Sequence, residues 1–116
     1  MAGYLTTHVL DTARGQPADG LRIELFRLND GRERLADTET NAEGRTDGPI
    51  LPAESFAQGS YELLFHCGEY LDRMGVPSES PRFLDTVPVR FGMSEAAHYH
   101  VPLLLSPFGY STYRGS

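Results

Sequence analysis

The chain has 116 residues, 40% of them hydrophobic, with 10 Lys and Arg against 16 Asp and Glu and a formal net charge of −6. That length suits one ordinary domain with its own core over residues 1–116, and the acidic balance argues against nucleic acid or an anionic membrane surface as the main partner. A lone cysteine, Cys67, excludes an internal disulfide, and Met1-Ala2-Gly3-Tyr4-Leu5 has neither a basic start nor a long apolar run, so a cytoplasmic protein without signal peptide or membrane span is expected.

Period-two alternation, the pattern of half-buried strands, recurs along the chain. Leu5, Thr7 and Val9 share one face of a first strand, with Tyr4, Thr6, His8 and Leu10 on the other. The turn formers of residues 14–20 predict a loop. Leu21, Ile23 and Leu25 alternate with Arg22 and Glu24; Phe26 and Leu28 break that parity, which predicts a bulge or a strand end. The polar residues 35–40 read as an edge strand, and Asn41-Ala42-Glu43-Gly44 as a turn with Arg45 just past it.

Tyr61, Leu63, Phe65 and Cys67 alternate next, and their shared parity sends Cys67 to the core. Residues 69–74 can form one or two helical turns, stopped by Gly75 and Pro77. Val87, Val89 and Phe91 mark a strand that Pro88 assigns to a sheet edge. Tyr99, Val101, Leu103 and Leu105 alternate with His98, His100, Pro102 and Leu104; Ser106-Pro107 turns the chain, and residues 108–114 form a last strand. Short strands, Gly/Pro turns and at most one short helix predict an antiparallel β-sandwich.

If the odd-numbered residues of the first strand and of residues 98–105 face the core, the opposite faces carry Thr6, His8, Leu10, His100, Pro102 and Leu104. A face that mixes aliphatic and imidazole groups fits a pocket or subunit interface better than open solvent. Ser111, Tyr113 and Gly115 share one parity and extend that surface. A single histidine there would be an ordinary sheet-surface residue; His8 and His100 beside aliphatic neighbours can titrate near neutrality and act as general bases. His98-Tyr99-His100 has the spacing that puts two imidazoles on one side of a strand, so with His8 it could ligate zinc, but no partner cysteine or clear fourth ligand accompanies it. Arg45 is either a solvated loop cation or a fork of donors for a planar polar substrate or an oxyanion. Ser116 lacks a G-x-S-x-G setting and suits hydrogen bonding or water positioning rather than nucleophilic attack. Tyr113-Arg114-Gly115-Ser116 places a phenol, a guanidinium, a flexible residue and a hydroxyl directly after an apolar stretch, which marks the end of the sequence as part of a site.

Three segments resemble the transthyretin-like family, and specifically its enzyme branch, the 5-hydroxyisourate hydrolases. They are His8-Val9-Leu10-Asp11 with Arg14-Gly15 and Pro17-Ala18; Asn41-Ala42-Glu43-Gly44-Arg45; and His98-Tyr99-His100-Val101-Pro102-Leu103-Leu104-Leu105-Ser106-Pro107 continuing to Tyr110-Ser111-Thr112-Tyr113-Arg114-Gly115-Ser116. The resemblance implies a transthyretin-like sandwich of two four-stranded sheets with one short helix, and a homotetramer whose two dimers leave a channel between them. It implies hydrolysis of 5-hydroxyisourate to 2-oxo-4-hydroxy-4-carboxy-5-ureidoimidazoline in urate degradation, with no cofactor and no metal. By position it assigns catalysis to His8, Arg45, His100 and Ser116, and substrate binding to His8, Arg45, Tyr113, Arg114, Gly115 and Ser116; His98 is not carried over as catalytic. Glu43, where relatives often carry Asp, and Phe108, where they carry Tyr, are mild departures. The competing readings are a small-ligand carrier of the same fold and a zinc-dependent cyclic amidohydrolase using His8, His98 and His100.

Overall fold

Alternation in residues 4–11 becomes strand β1, Tyr4–Asp11, with Leu5, Thr7, Val9 and Asp11 buried and Tyr4, Thr6, His8 and Leu10 only half-buried. Successive strand side chains point to opposite faces, so one face of β1 enters the core and the other is left partly open. The structure is a computed structural model that describes residues 2–116; Met1 lies outside them.

A two-residue strand β2, Gln16–Pro17, pairs antiparallel with the end of β1 inside the predicted loop. β3, Arg22–Arg27, pairs with β4, Glu33–Glu39, and its register shifts between Leu25 and Phe26, where the hydrophobic parity breaks. β5, Gly59–His66, leads directly into helix α1, Cys67–Arg73. β6, Thr86–Met93, β7, His98–Ser106, and β8, Gly109–Thr112, complete the chain. The strands form two four-stranded sheets, ordered β2-β1-β7-β8 and β4-β3-β5-β6. This is the expected sandwich, with β6 and its Pro88 at an edge.

One pairing departs from the antiparallel pattern. β1 and β7 run parallel, with Tyr4 opposite His98, Thr6 opposite His100 and His8 opposite Pro102. Parallel neighbours need a long crossover rather than a hairpin, and here the whole second sheet is threaded between them. Leu5, Val9, Leu103 and Leu105 meet Ile23, Leu25, Leu63 and Phe65 in one core cluster, each with no exposed surface. Full burial of each such side chain is worth about 1.5–3 kcal/mol. Cys67 is buried among them, and desolvation pushes its thiol pKa up to about 12.

Helix α1 is tied to the site-bearing sheet through Asp11. The Tyr70 hydroxyl donates to buried Asp11 Oδ2 at 2.8 Å, and the Arg14 N–H donates to Asp11 Oδ1 at 3.1 Å. Buried carboxylates therefore keep partners, as they must in a low-dielectric interior. On the far face of the second sheet, Glu62 is 3% exposed under Arg32 and Arg90, at 2.8 and 3.0 Å. Burial works to raise its pKa, and the two guanidiniums outweigh that and hold it below the usual carboxylate value.

The last strand is shorter than predicted. β8 stops at Thr112, whose hydroxyl donates to the Pro102 carbonyl at 2.7 Å. Tyr113 and Arg114 leave the ladder, and Arg114 lays its guanidinium 4.2 Å from the centroid of the Tyr99 ring. The chain then rejoins β7: the Gly115 N–H donates to the His100 carbonyl at 2.7 Å, three residues farther along both strands from the Leu103–Thr112 pair.

Candidate active site

The turn at residues 41–45 carries Arg45 to β1. Asn41 Oδ1 accepts from the Glu43 N–H at 2.9 Å and the Arg45 N–H at 3.2 Å, and the Asn41 N–H donates to the Arg45 carbonyl at 2.7 Å. An Asn side chain that satisfies its own turn in this way fixes the loop without regular structure. The Val9 N–H then donates to the Gly44 carbonyl at 2.8 Å, and His8 and Arg45 form an isolated antiparallel bridge. Gly44 sits at φ +75°, and a Cβ there would press on the Val9 carbonyl and lie 3.2 Å from His8 Cδ2. Only glycine lets the turn approach the histidine so closely.

His8 Nε2 lies 3.0 Å from the Glu43 carbonyl, which can only accept. The ring is therefore held with its proton on Nε2, leaving Nδ1 as the free lone pair. The His8 and His100 ring centroids are 6.5 Å apart, and those of His98 and His100 are 6.3 Å apart. Burial, then the charge of Arg45, lowers the pKa of His8 despite its bond to Glu43. For His100 burial again dominates, followed by Arg45, His8 and His98, and the pKa falls below its ordinary value. Both imidazoles are thus kept neutral and able to accept a proton at neutral pH.

A cleft of about 390 Å³ opens over this face, lined by Tyr4, Thr6, Arg45, His98, His100 and Ser116 among others. Three of the expected catalytic residues, Arg45, His100 and Ser116, therefore share one cavity, with His8 flanking it beside His100. Gly115 contributes through its backbone and through its lack of a side chain, since a Cβ would stand 2.6 Å from His100 Cδ2. Tyr113 and Arg114 do not line this cleft. They border a separate groove of about 180 Å³ beside Val89, Phe91 and Val101, because the chain steps out of the ladder at those two residues.

Sequence reasoning passed over Tyr4 and Thr6. Tyr4 stacks on His98 with centroids 4.2 Å apart and planes inclined by 5°, and the Thr6 hydroxyl lies within hydrogen-bonding distance of both His98 and His100. Their parity with His8 was the available signal. The fourth histidine, His66, is on the other sheet and meets Glu24 Oε1 at 2.7 Å. Among the described residues no group of three His, Cys, Asp or Glu side chains is placed to hold a metal ion.

A profile of the HIUase/Transthyretin family matches residues 5–115. The chain belongs to that family. It is 57% identical over 117 residues to a protein of Rhizobium meliloti named 5-hydroxyisourate hydrolase 2, covering 99% of this chain and 98% of the relative. Among solved structures, an (S)-allantoin synthase matches with a TM-score of 0.93 and 47% identity over 99% of this chain, which spans only 44% of that longer one. The 5-hydroxyisourate hydrolase of Klebsiella pneumoniae matches with a TM-score of 0.82 and 36% identity, covering 98% of this chain and 94% of that one. Sea bream transthyretin in complex with thyroxine matches with a TM-score of 0.86 and 26% identity, covering 96% and 93%. Within the HIUase/Transthyretin family, backbone likeness therefore does not separate a hydrolase from a thyroxine-binding transthyretin; the side chains of the site must.

Proposed function

We propose that this chain hydrolyses 5-hydroxyisourate to 2-oxo-4-hydroxy-4-carboxy-5-ureidoimidazoline, acting as a single domain in urate degradation in the cytoplasm. The observation that carries the reading is the convergence of Arg45, His100 and Ser116 on one cleft with neutral His8 beside them. In the proposed step His100, assisted by His8, takes a proton from a water as the water oxygen bonds to a ring carbonyl carbon. The carbonyl oxygen becomes an oxyanion facing the Arg45 guanidinium. Collapse of that intermediate breaks the ring C–N bond, and the proton returns to the departing nitrogen. Ser116 and the backbone around it close the pocket and hydrogen-bond substrate or water. General-base catalysis contributes roughly 10²–10⁴-fold, and oxyanion stabilisation a further ~10²–10³-fold.

The test is direct. 5-Hydroxyisourate generated from urate by urate oxidase is followed by its ultraviolet absorbance, and this chain is expected to accelerate its loss over the spontaneous rate. Loss at the spontaneous rate overturns the reading.

The direction of the histidine shifts sets the pH dependence. The neutral rings are the working forms, so activity disappears when they protonate, and a depressed pKa moves that point to lower pH. After subtraction of spontaneous decay, the acid limb of kcat/KM is expected to have its midpoint below the ordinary histidine value of about 6.5. A midpoint above that value would mean that an imidazolium is stabilised in the cleft.

The assembly belongs to the same proposal: a homotetramer in which the outer faces of β1 and β7 line a channel between dimers. Supporting it, Phe83 and Phe108 are 73% and 75% exposed with ring centroids 6.0 Å apart, an aromatic patch that a lone subunit would leave in water. Sedimentation at micromolar concentration is expected to give four chains per particle, and a monomer would remove the channel.

A further inference from the structure

The Thr6 hydroxyl stands between two imidazoles. Its Oγ1 is 2.7 Å from His98 Nε2 and 2.8 Å from His100 Nδ1, distances at which both contacts are hydrogen bonds. A hydroxyl has one proton, so it can donate to only one ring and must accept from the other. Two arrangements satisfy the geometry. In one, Thr6 donates to His100 Nδ1, and His100 carries its proton on Nε2. In the other, Thr6 donates to His98 Nε2 and accepts from the His100 Nδ1–H, leaving His100 Nε2 with a free lone pair.

The second arrangement is the one in which His100, with Nδ1 taken up by Thr6, keeps a free lone pair on Nε2 for a base to use, and the surroundings suit it. The parallel register that sets Thr6 opposite His100 and Tyr4 opposite His98 lines up all four side chains on the open face of the sheet. Tyr4, stacked flat on His98 at 4.2 Å, fixes the orientation of that ring so that Nε2 points at the hydroxyl. His98 is exposed to solvent whereas His100 is half-buried, so a proton that reaches His98 can leave to water. The charged and titratable groups around His100 are Arg45, His8 and His98, and the charge of each would oppose a second positive charge on its ring.

We propose that Thr6 is a positioning residue that holds His100 with its proton on Nδ1 and, together with His98, relays the proton gained by His100 out to solvent. The relay balances. A water proton bonds to His100 Nε2; the Nδ1 proton of His100 passes to Thr6 Oγ1 as the Thr6 proton passes to His98 Nε2. His100 ends neutral with the water proton on Nε2, Thr6 is again a hydroxyl, and His98 is the imidazolium, which gives up its Nδ1 proton to bulk water or buffer. When the C–N bond breaks, the His100 Nε2 proton goes to the departing nitrogen, the Thr6 proton to His100 Nδ1 and the His98 Nε2 proton to Thr6 Oγ1. His98 Nδ1 takes a proton back from buffer, and the starting state returns. The kinetic part of this inference rests on the hydrolase reading; the tautomer part rests on the two hydrogen bonds and on His100 keeping a free lone pair.

Two measurements keep those parts distinguishable. Nitrogen-15 spectra of the imidazoles in the full chain are expected to show neutral His100 protonated on Nδ1, and Thr6→Val, which keeps the β-branched shape, to move that proton to Nε2. The same variant is expected to lower kcat roughly tenfold to a hundredfold with KM unchanged, the scale seen when a partner that orients a working histidine is lost, and Thr6→Ser to recover most of the loss. His98→Ala is expected to slow turnover in dilute buffer and to be rescued by added imidazole. Wild-type His100 protonated on Nε2 overturns the proposal even if the chain proves inactive towards 5-hydroxyisourate. So does a Thr6→Val variant with wild-type kcat, and failure of imidazole to rescue His98→Ala removes the relay. If Thr6→Val does not fold, the wild-type tautomer and the activity of Thr6→Ser still decide.

Discussion

Replacing His100 with alanine is expected to lower kcat/KM for 5-hydroxyisourate by roughly 10²–10⁴-fold, the contribution of a positioned general base. His100 is joined to several parts of the cleft: to Thr6 through Nδ1, to the last residues of the sequence through its backbone carbonyl, and to Arg45, whose charge adds to burial in lowering its pKa. Its side chain lies on the open face of β7, while Tyr99 and Val101 on either side point to the core. Truncation therefore removes the base and leaves the sandwich intact, so the thermal midpoint is expected to shift little. His8→Ala is a useful comparison, because His8 contacts the Glu43 carbonyl rather than Thr6 and its loss leaves the His100 hydrogen bond in place. A His100→Ala variant that folds and retains wild-type kcat/KM would move the base to another residue.

The second large effect is expected from a single methyl group. In Gly115→Ala the new Cβ would stand 2.6 Å from His100 Cδ2, closer than real Cβ contacts come, and 3.3 Å from its Cγ. Either the imidazole swings away, disturbing its bond to Thr6, or the Gly115 N–H loses its 2.7 Å bond to the His100 carbonyl. A displacement of about 1 Å at a reacting group is enough to cost ~10²-fold in rate. Gly115 has no positive φ that alanine would strain, and it lies at the sheet edge outside the core cluster. The expected result is a loss of kcat near that size with unchanged unfolding, measured by the same ultraviolet assay and by thermal denaturation. Wild-type turnover in Gly115→Ala would show that the ring relaxes freely and that close packing of residues 113–116 on His100 is unimportant. Deleting those four residues is expected to reduce activity at least as much, because Ser116 leaves the cleft with them.

Much of this site was legible because strands repeat every two residues. Leu5 and Val9 on one parity, and Thr6 and His8 on the other, declare which face is core and which is open, and the structure places them so. The Leu25–Phe26 bulge and the edge position of β6 were legible for the same local reasons, a broken parity and a proline. What was not legible depends on partners distant in sequence. Nothing local says that β1 runs parallel to β7, yet that register alone puts Thr6 between His98 and His100. The meeting of Arg45 with His8 likewise depends on the Gly44 carbonyl docking on Val9.

Two readings show where pattern gives way to packing. Parity extended the last strand through residues 108–114 and laid Tyr113 on the site face. The chain instead leaves the ladder after Thr112, Arg114 stacks over Tyr99, and pairing resumes only at Gly115. Glu24 reads from its alternation with Ile23 and Leu25 as an outward-facing charge, and it does point away from the core, as Glu62 does on the neighbouring strand. They are nonetheless 8% and 3% exposed, because arginines from neighbouring strands fold over them. Such cover is invisible to a pattern that counts only apolar positions.

The most direct measurement of whether this cleft does the chemistry is the rate of 5-hydroxyisourate loss with wild type and His100→Ala side by side at equal concentration. The predicted result is strong acceleration by the wild type and a rate within a small margin of spontaneous decay for the variant. Equal acceleration by both proteins, or none by either, would contradict the assignment of ring opening to the cleft formed by Arg45, His100 and Ser116.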